Sequence, residues 1–142
     1  MSRQETKKGL QSRIELGDYR VQQEAKYYQA LSYKVTIYPY GVNGIDMIIE
    51  SEEWVMSAEV TNWNKNGYLN LDRLSNYISN YEEVEKHLTI LQDRRDRRRL
   101  LIYSYDSNIE NIIKYLLEAR IELRRIGKQD IPTEKEIKGW IN

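Results

Sequence analysis

The chain has 142 residues, 40% of them hydrophobic and 31% charged, with 22 Lys+Arg against 22 Asp+Glu. That is one domain able to bury roughly 68% of its unfolded surface, which excludes a disordered chain and a globally basic polyelectrolyte, so any nucleic-acid site must be a local patch. The absence of Cys and the single histidine, His87, exclude disulfides, thiolate zinc, iron–sulfur clusters, cysteine nucleophiles and clustered-histidine metals, leaving carboxylates to carry any chemistry.

In chain order, residues 1–16 form a polar arm, and residues 17–142 a single domain with a core over 18–126. From Asp18, a candidate N-cap, Val21, Ala25, Tyr28 and Leu31 recur at helical spacing and predict a first helix over about 18–31. The β-branched and aromatic run YKVTIYPY (33–40) predicts a strand that stops at Pro39 and the Gly41 to Gly44 punctuation. IDMIIE (45–50) and WVMSAEVT (54–61), separated by Ser51-Glu52-Glu53, read as a hairpin. Centring the turn between Glu52 and Glu53 pairs Ile45 with Val60, Met47 with Ala58 and Ile49 with Met56. One face is then wholly apolar, and a one-residue slip would scatter that set.

After NWNKNGYLN, the residues Leu74, Tyr77, Ile78, Tyr81, Val84, Leu88 and Leu91 predict one long amphipathic helix or two short ones, with Tyr77 and Tyr81 in packing roles. RLLIYSY (99–105) predicts a buried strand. Ser107-x-x-Glu110 reads as a capping box opening a helix that carries Ile109, Ile112, Ile113, Leu116, Leu117 and Leu123, and late in it Arg120, Arg124, Arg125 and Lys128 suit the helix dipole. Thr133-x-x-Glu136 opens a short terminal helix over 133–141. The expected fold is α/β, a mixed sheet of about four strands flanked by helices in the order α-β-β-β-α-β-α, the fourth strand arriving parallel through a helical crossover.

The same register sets Asp46 beside Glu59 with Cβ atoms about 4.5–5.5 Å apart. Two anions at about 5 Å repel by roughly 3 kcal/mol at an effective dielectric near 20. A screened, solvent-facing surface, a shared proton or a divalent cation would each resolve this. With only oxygen ligands at hand the cation is a hard one, Mg²⁺ or Mn²⁺.

Gly44-Ile45-Asp46, the thirteen-residue step from Asp46 to Glu59, and Glu59-Val60-Thr61 resemble the PD-(D/E)XK nuclease superfamily, whose pattern is an Asp opening the second strand and a Glu-x-Lys on the third. The order α-β-β-β-α-β over roughly 18–126 resembles that family's restriction-endonuclease-like core, closest to small archaeal Holliday-junction resolvases and archaeal viral nucleases. The resemblance implies metal-dependent hydrolysis of a phosphodiester in DNA, less readily RNA. It makes Asp46 and Glu59 metal ligands with the main-chain carbonyl of Val60. Thr61 stands where the family keeps its Lys, so Lys34 or Lys65 would have to substitute, or the chain is a catalytically inactive nucleic-acid-binding module of the same fold. Many members carry a first-helix Glu at the site, for which Glu24 is the candidate.

The segment Asp93 to Arg99 holds five arginines in seven residues; Arg94, Arg95, Arg97 and Arg98 read as a phosphate-contacting patch or as a solvated loop with Asp93 and Asp96 as partners. Trp63 could stack on a base or pack. His87 reads as a helix-surface residue. The expected partner is nucleic acid, with no membrane and a homodimer left open. No run approaches the roughly 18 apolar residues of a membrane span, and the start lacks a signal peptide's apolar stretch, so an intracellular protein is expected, in a host's cytoplasm if viral.

Overall fold

The computed structural model describes residues 19–38, 44–61, 71–105 and 109–127. The arm, Asp18, Pro39, Gly41, Trp63, Lys65, Ser107, Lys128 and the helix expected over 133–141 lie outside the described residues. Helix α1 covers residues 19–30. It ends without glycine: Ser32 takes the left-handed conformation at φ 72°, while the Ser32 and Tyr33 amides donate to the carbonyls of Gln29 and Tyr28 in a Schellman closure.

Strands β1 (Lys34–Ile37), β2 (Met47–Glu50) and β3 (Trp54–Val60) form an antiparallel meander. The hairpin has the register that its apolar face predicts, with Met47 opposite Ala58 and Ile49 opposite Met56. Its turn is held by Ser51 Oγ, which accepts the amides of Glu53 and Trp54 at 3.2 and 3.0 Å. Helix α2 (Leu71–Ile90) is one continuous element, closed like α1 by a left-handed residue, Gln92 at φ 58°. It crosses to β4 (Asp96–Ser104), which runs parallel to β3 as expected.

Two expectations fail. The run after residue 109 is a single 3₁₀ turn (Glu110–Ile112) and a short α3 (Ile113–Glu118), followed by a fifth strand, β5 (Ile121–Ile126), parallel to β4. Ile112 and Leu116 are buried at helical spacing, but the chain reverses at Ala119 and Arg120, the latter at φ 58°, so Arg124 and Arg125 lie on a strand and not on a helix end. The order is therefore α-β-β-β-α-β-α-β, with five strands in spatial order β1-β2-β3-β4-β5. Second, Ile45 does not share the face of Val60. The chain bends ahead of β2, with Gly44 at φ +131°, and Ile45 turns over to pack with Leu74, Tyr81 and Leu101. A side chain at Gly44 would meet nothing within 4 Å, so the glycine answers a backbone demand.

Three layers result. On one sheet face Ala25 and Tyr28 of α1 cover Met47, Ile49, Met56, Ala58, Val60, Leu100 and Ile102. On the other, α2, the 3₁₀ turn and α3 cover Leu101 and Ile121 with Leu74, Tyr81, Ile112 and Leu116. Tyr81 is fully buried, and its hydroxyl is satisfied by donating to Leu100 O at 2.6 Å. Among the described residues no helix is long and apolar enough to cross a membrane.

Candidate functional site

The hairpin's hydrogen-bond alternation decides what happens at its open end. The Ser51 amide bonds Trp54 O, so pairs 49/56 and 47/58 follow as hydrogen-bonded and 45/60 would be next. The bend withdraws Ile45, and the carboxylate of Asp46 takes its place: Val60 N–H donates to Asp46 Oδ2 at 2.7 Å. The 46/59 position is of the non-hydrogen-bonded kind, where facing side chains come closest, with Cα atoms about 4.5 Å apart. Asp46, one residue ahead of β2, and Glu59 on β3 are close enough for each to shift the other's titration.

Both carboxyls are held above their ordinary range. Burial is the largest cause for Asp46, opposed by the Val60 amide and by Glu59. Glu59, only 4% exposed, is pushed up to about 9, first by burial and then by the charge of Asp46, against the opposing amide of Asn80. Burial and mutual repulsion together disfavour the doubly ionised pair. Asn80 Nδ2 on α2 donates to Glu59 Oε1 at 3.1 Å. Among the described residues no Lys or Arg forms an ion pair with either carboxylate, and no third Asp, Glu or His joins them as a ligand group.

The donor set fits a hard divalent ion. It is all oxygen: two carboxylates and the Val60 carbonyl, which leaves an extended strand on the same edge as the Val60 amide that Asp46 accepts. Thr61 continues the ladder through its amide to Ile102 O at 2.9 Å and shares the Glu59 face by the two-residue period. Its hydroxyl is buried with no hydrogen-bond partner among the described residues, while Arg20 Nη1 donates to its carbonyl at 3.2 Å.

The other expected site residues lie elsewhere. Glu24 is on α1, behind the opposite sheet face, and accepts from Arg124 Nε at 2.7 Å. Lys34 pairs with Glu50 at 3.8 Å, four residues from Asp46 along the strand pairing, or about 13 Å. The arginine segment is not a free loop, because β4 begins at Asp96 and draws Arg97 to Arg99 into the sheet. Arg95 binds Asp93, Glu50 and the Ser51 carbonyl; Arg97 donates to the carbonyls of Asp93 and Arg95; Arg98 pairs with Glu122 over the Trp54 ring; Arg94 is exposed. Arg97 pairs with Val55 and Leu101 with Glu59, so these arginines occupy the far end of the sheet from the carboxylates. His87 is exposed on α2, as expected.

Sequence reasoning missed Asn80. It lies beside the apolar stripe of α2, and an Asn in mid-helix, where its propensity is poor, was the available signal. No protein-family model matches the chain, and no curated protein matches it in sequence.

Proposed function

We propose that this protein is a divalent-metal-dependent nuclease of the restriction-endonuclease-like, PD-(D/E)XK kind, acting on DNA before RNA. The observation that carries the reading is the close pair of half-buried Asp46, just ahead of β2, and buried Glu59 on β3, with a neutral amide and, among the described residues, no cation paired with it. The order α-β-β-β-α-β, with the pair at the second and third strands, agrees with that family's core. Asp46, Glu59 and the Val60 carbonyl would hold Mg²⁺ or Mn²⁺. Bound there, the ion supplies a water of lowered pKa and neutralises charge on the phosphate.

The chain's own residues prepare that state. Asn80 fixes one oxygen of Glu59, and the Val60 amide fixes one oxygen of Asp46. Both carboxyls must be ionised to ligate together, so any proton the pair retains leaves when the site is loaded. A buried orphan hydroxyl costs about 1–3 kcal/mol, and at Thr61 a water or phosphate oxygen in the site would satisfy it.

One observation favours a second reading. Thr61 replaces the family's Lys and no described cation reaches the pair, which suits a catalytically silent nucleic-acid-binding module. Cleavage of plasmid and oligonucleotide DNA with Mn²⁺, beside a gel shift in EDTA, separates the two. The nuclease reading expects Glu59→Ala to lower cleavage at least about 100-fold while the fold holds, since several kcal/mol of charge stabilisation go with the ligand. It expects Thr61→Lys to raise cleavage about tenfold by adding an electrostatic donor. Wild-type cleavage by the Glu59→Ala protein would sink it.

A further inference from the structure

A cleft of about 220 Å³ opens directly beside the carboxylate pair. It shares Asn80 with the pair and includes Ile45, the neighbour of Asp46. Its walls are of two kinds. The sheet side offers Tyr38, Ile45 and Ile48, with the Tyr38 ring 39% exposed. The α2 side offers Val84 with Asn80, Glu83 and His87, which recur at one helical face and line the same cleft.

We infer that this cleft receives one unpaired nucleobase of the strand whose phosphate lies at Asp46 and Glu59, which makes the substrate class single-stranded or locally unpaired nucleic acid. The inference rests on the proposed phosphodiester site. Three features argue for this occupant. The cleft is below the roughly 300–1,000 Å³ of pockets for drug-sized ligands and suits one ring system. A nucleobase has apolar faces and a polar edge, which matches apolar walls flanked on one side by an amide, a carboxylate and an imidazole; an acyl chain or an aliphatic side chain would make no use of that polar flank. Finally, the cleft adjoins the carboxylate pair, since Asn80 in its wall donates to Glu59 and Ile45 in its wall precedes Asp46, so a base held in the cleft brings its own phosphate near the pair. A base inside an intact duplex has its hydrogen-bonding edge occupied and cannot enter.

Titration of the full chain, with Ca²⁺ as the ion, into a 12-nucleotide single-stranded DNA bearing one 2-aminopurine should give a saturable fluorescence change. The same strand annealed to its complement should bind at least tenfold more weakly. Val84→Phe, which fills the cleft, should weaken single-strand binding about tenfold while Mn²⁺ affinity by calorimetry stays unchanged. With Mn²⁺ the wild type should cut the single strand about tenfold faster than the duplex, and the variant should lose that preference. Tyr38→Ala, at an exposed ring, should weaken binding several-fold and decides the matter if Val84→Phe does not fold. Wild-type single-strand binding by the folded variants, or equal affinity for duplex, overturns the inference. Cleft-dependent binding with no cleavage in any metal supports the cleft and overturns the nuclease reading, whereas metal-dependent cleavage indifferent to both variants overturns the cleft alone.

Discussion

The two faces of the sheet treat a buried glutamate in opposite ways. On the α1 face, Glu24 is 6% exposed and is met by the Arg124 guanidinium, itself stacked 3.8 Å from the centre of the Tyr27 ring. On the α2 face, Glu59 is just as buried, yet among the described residues the charge that acts on it is another carboxylate's and its helix partner is a neutral amide. The chain is able to place an arginine against a buried acid, and at Glu24 it does. Burial of an acid without a cation is costly, and among the described residues none offsets it at Glu59, which is why we propose that the pair receives a metal ion.

That contrast can be broken experimentally. The most direct test is the metal response. Mn²⁺ at a hundred times its Kd should stabilise the protein by about 2.7 kcal/mol, read as a rise in Tm, and Glu59→Gln should abolish the rise. Next comes pH. Folded Glu59 keeps its proton up to about 9 while the unfolded side chain releases it near 4.5, so between these values the folded state binds more protons. Its contribution to stability is complete below pH 4.5 and declines as pH rises toward 9, by at most about 1.4 kcal/mol per unit for one proton. Denaturant unfolding in EDTA should show that decline, and Glu59→Gln should flatten it. The smallest effect belongs to the satisfied face. Glu24→Gln should cost about 1 kcal/mol, because Arg124 is partly exposed and keeps its ring contact, with no change in Mn²⁺ binding. A Glu24 variant that lost metal binding would erase the distinction between the faces.

What the sequence disclosed follows interaction range. The hairpin register was legible because Met47, Ile49, Met56 and Ala58 can be buried together in only one pairing, and Asp46 came to Glu59 with it. The crossover of α2 to a parallel β4 was legible from periodicity. Strand β5 was not, because IELRRI is short and follows Ile112 and Leu116 at helical spacing, with no glycine or proline at the Ala119-Arg120 reversal to announce the break. Asn80 and the pairing of Glu24 with Arg124 depend on how helices lie across the sheet, over separations of 21 and 100 residues, and a polar residue on a helix looks the same in sequence whether it meets solvent or a buried acid.

The bond from Val60 N–H to Asp46 Oδ2 closes the last rung of the hairpin with a side chain that can change its charge. One backbone proton therefore reads out the state of the site. Protonation of Asp46, its replacement, or recruitment of its oxygens elsewhere would each alter the shift and exchange rate of that single amide in an NMR spectrum, while amides deeper in the ladder, held by carbonyls, would stay still. The molecule carries its own spectroscopic indicator, addressable by nitrogen-15 labelling and free of any added dye.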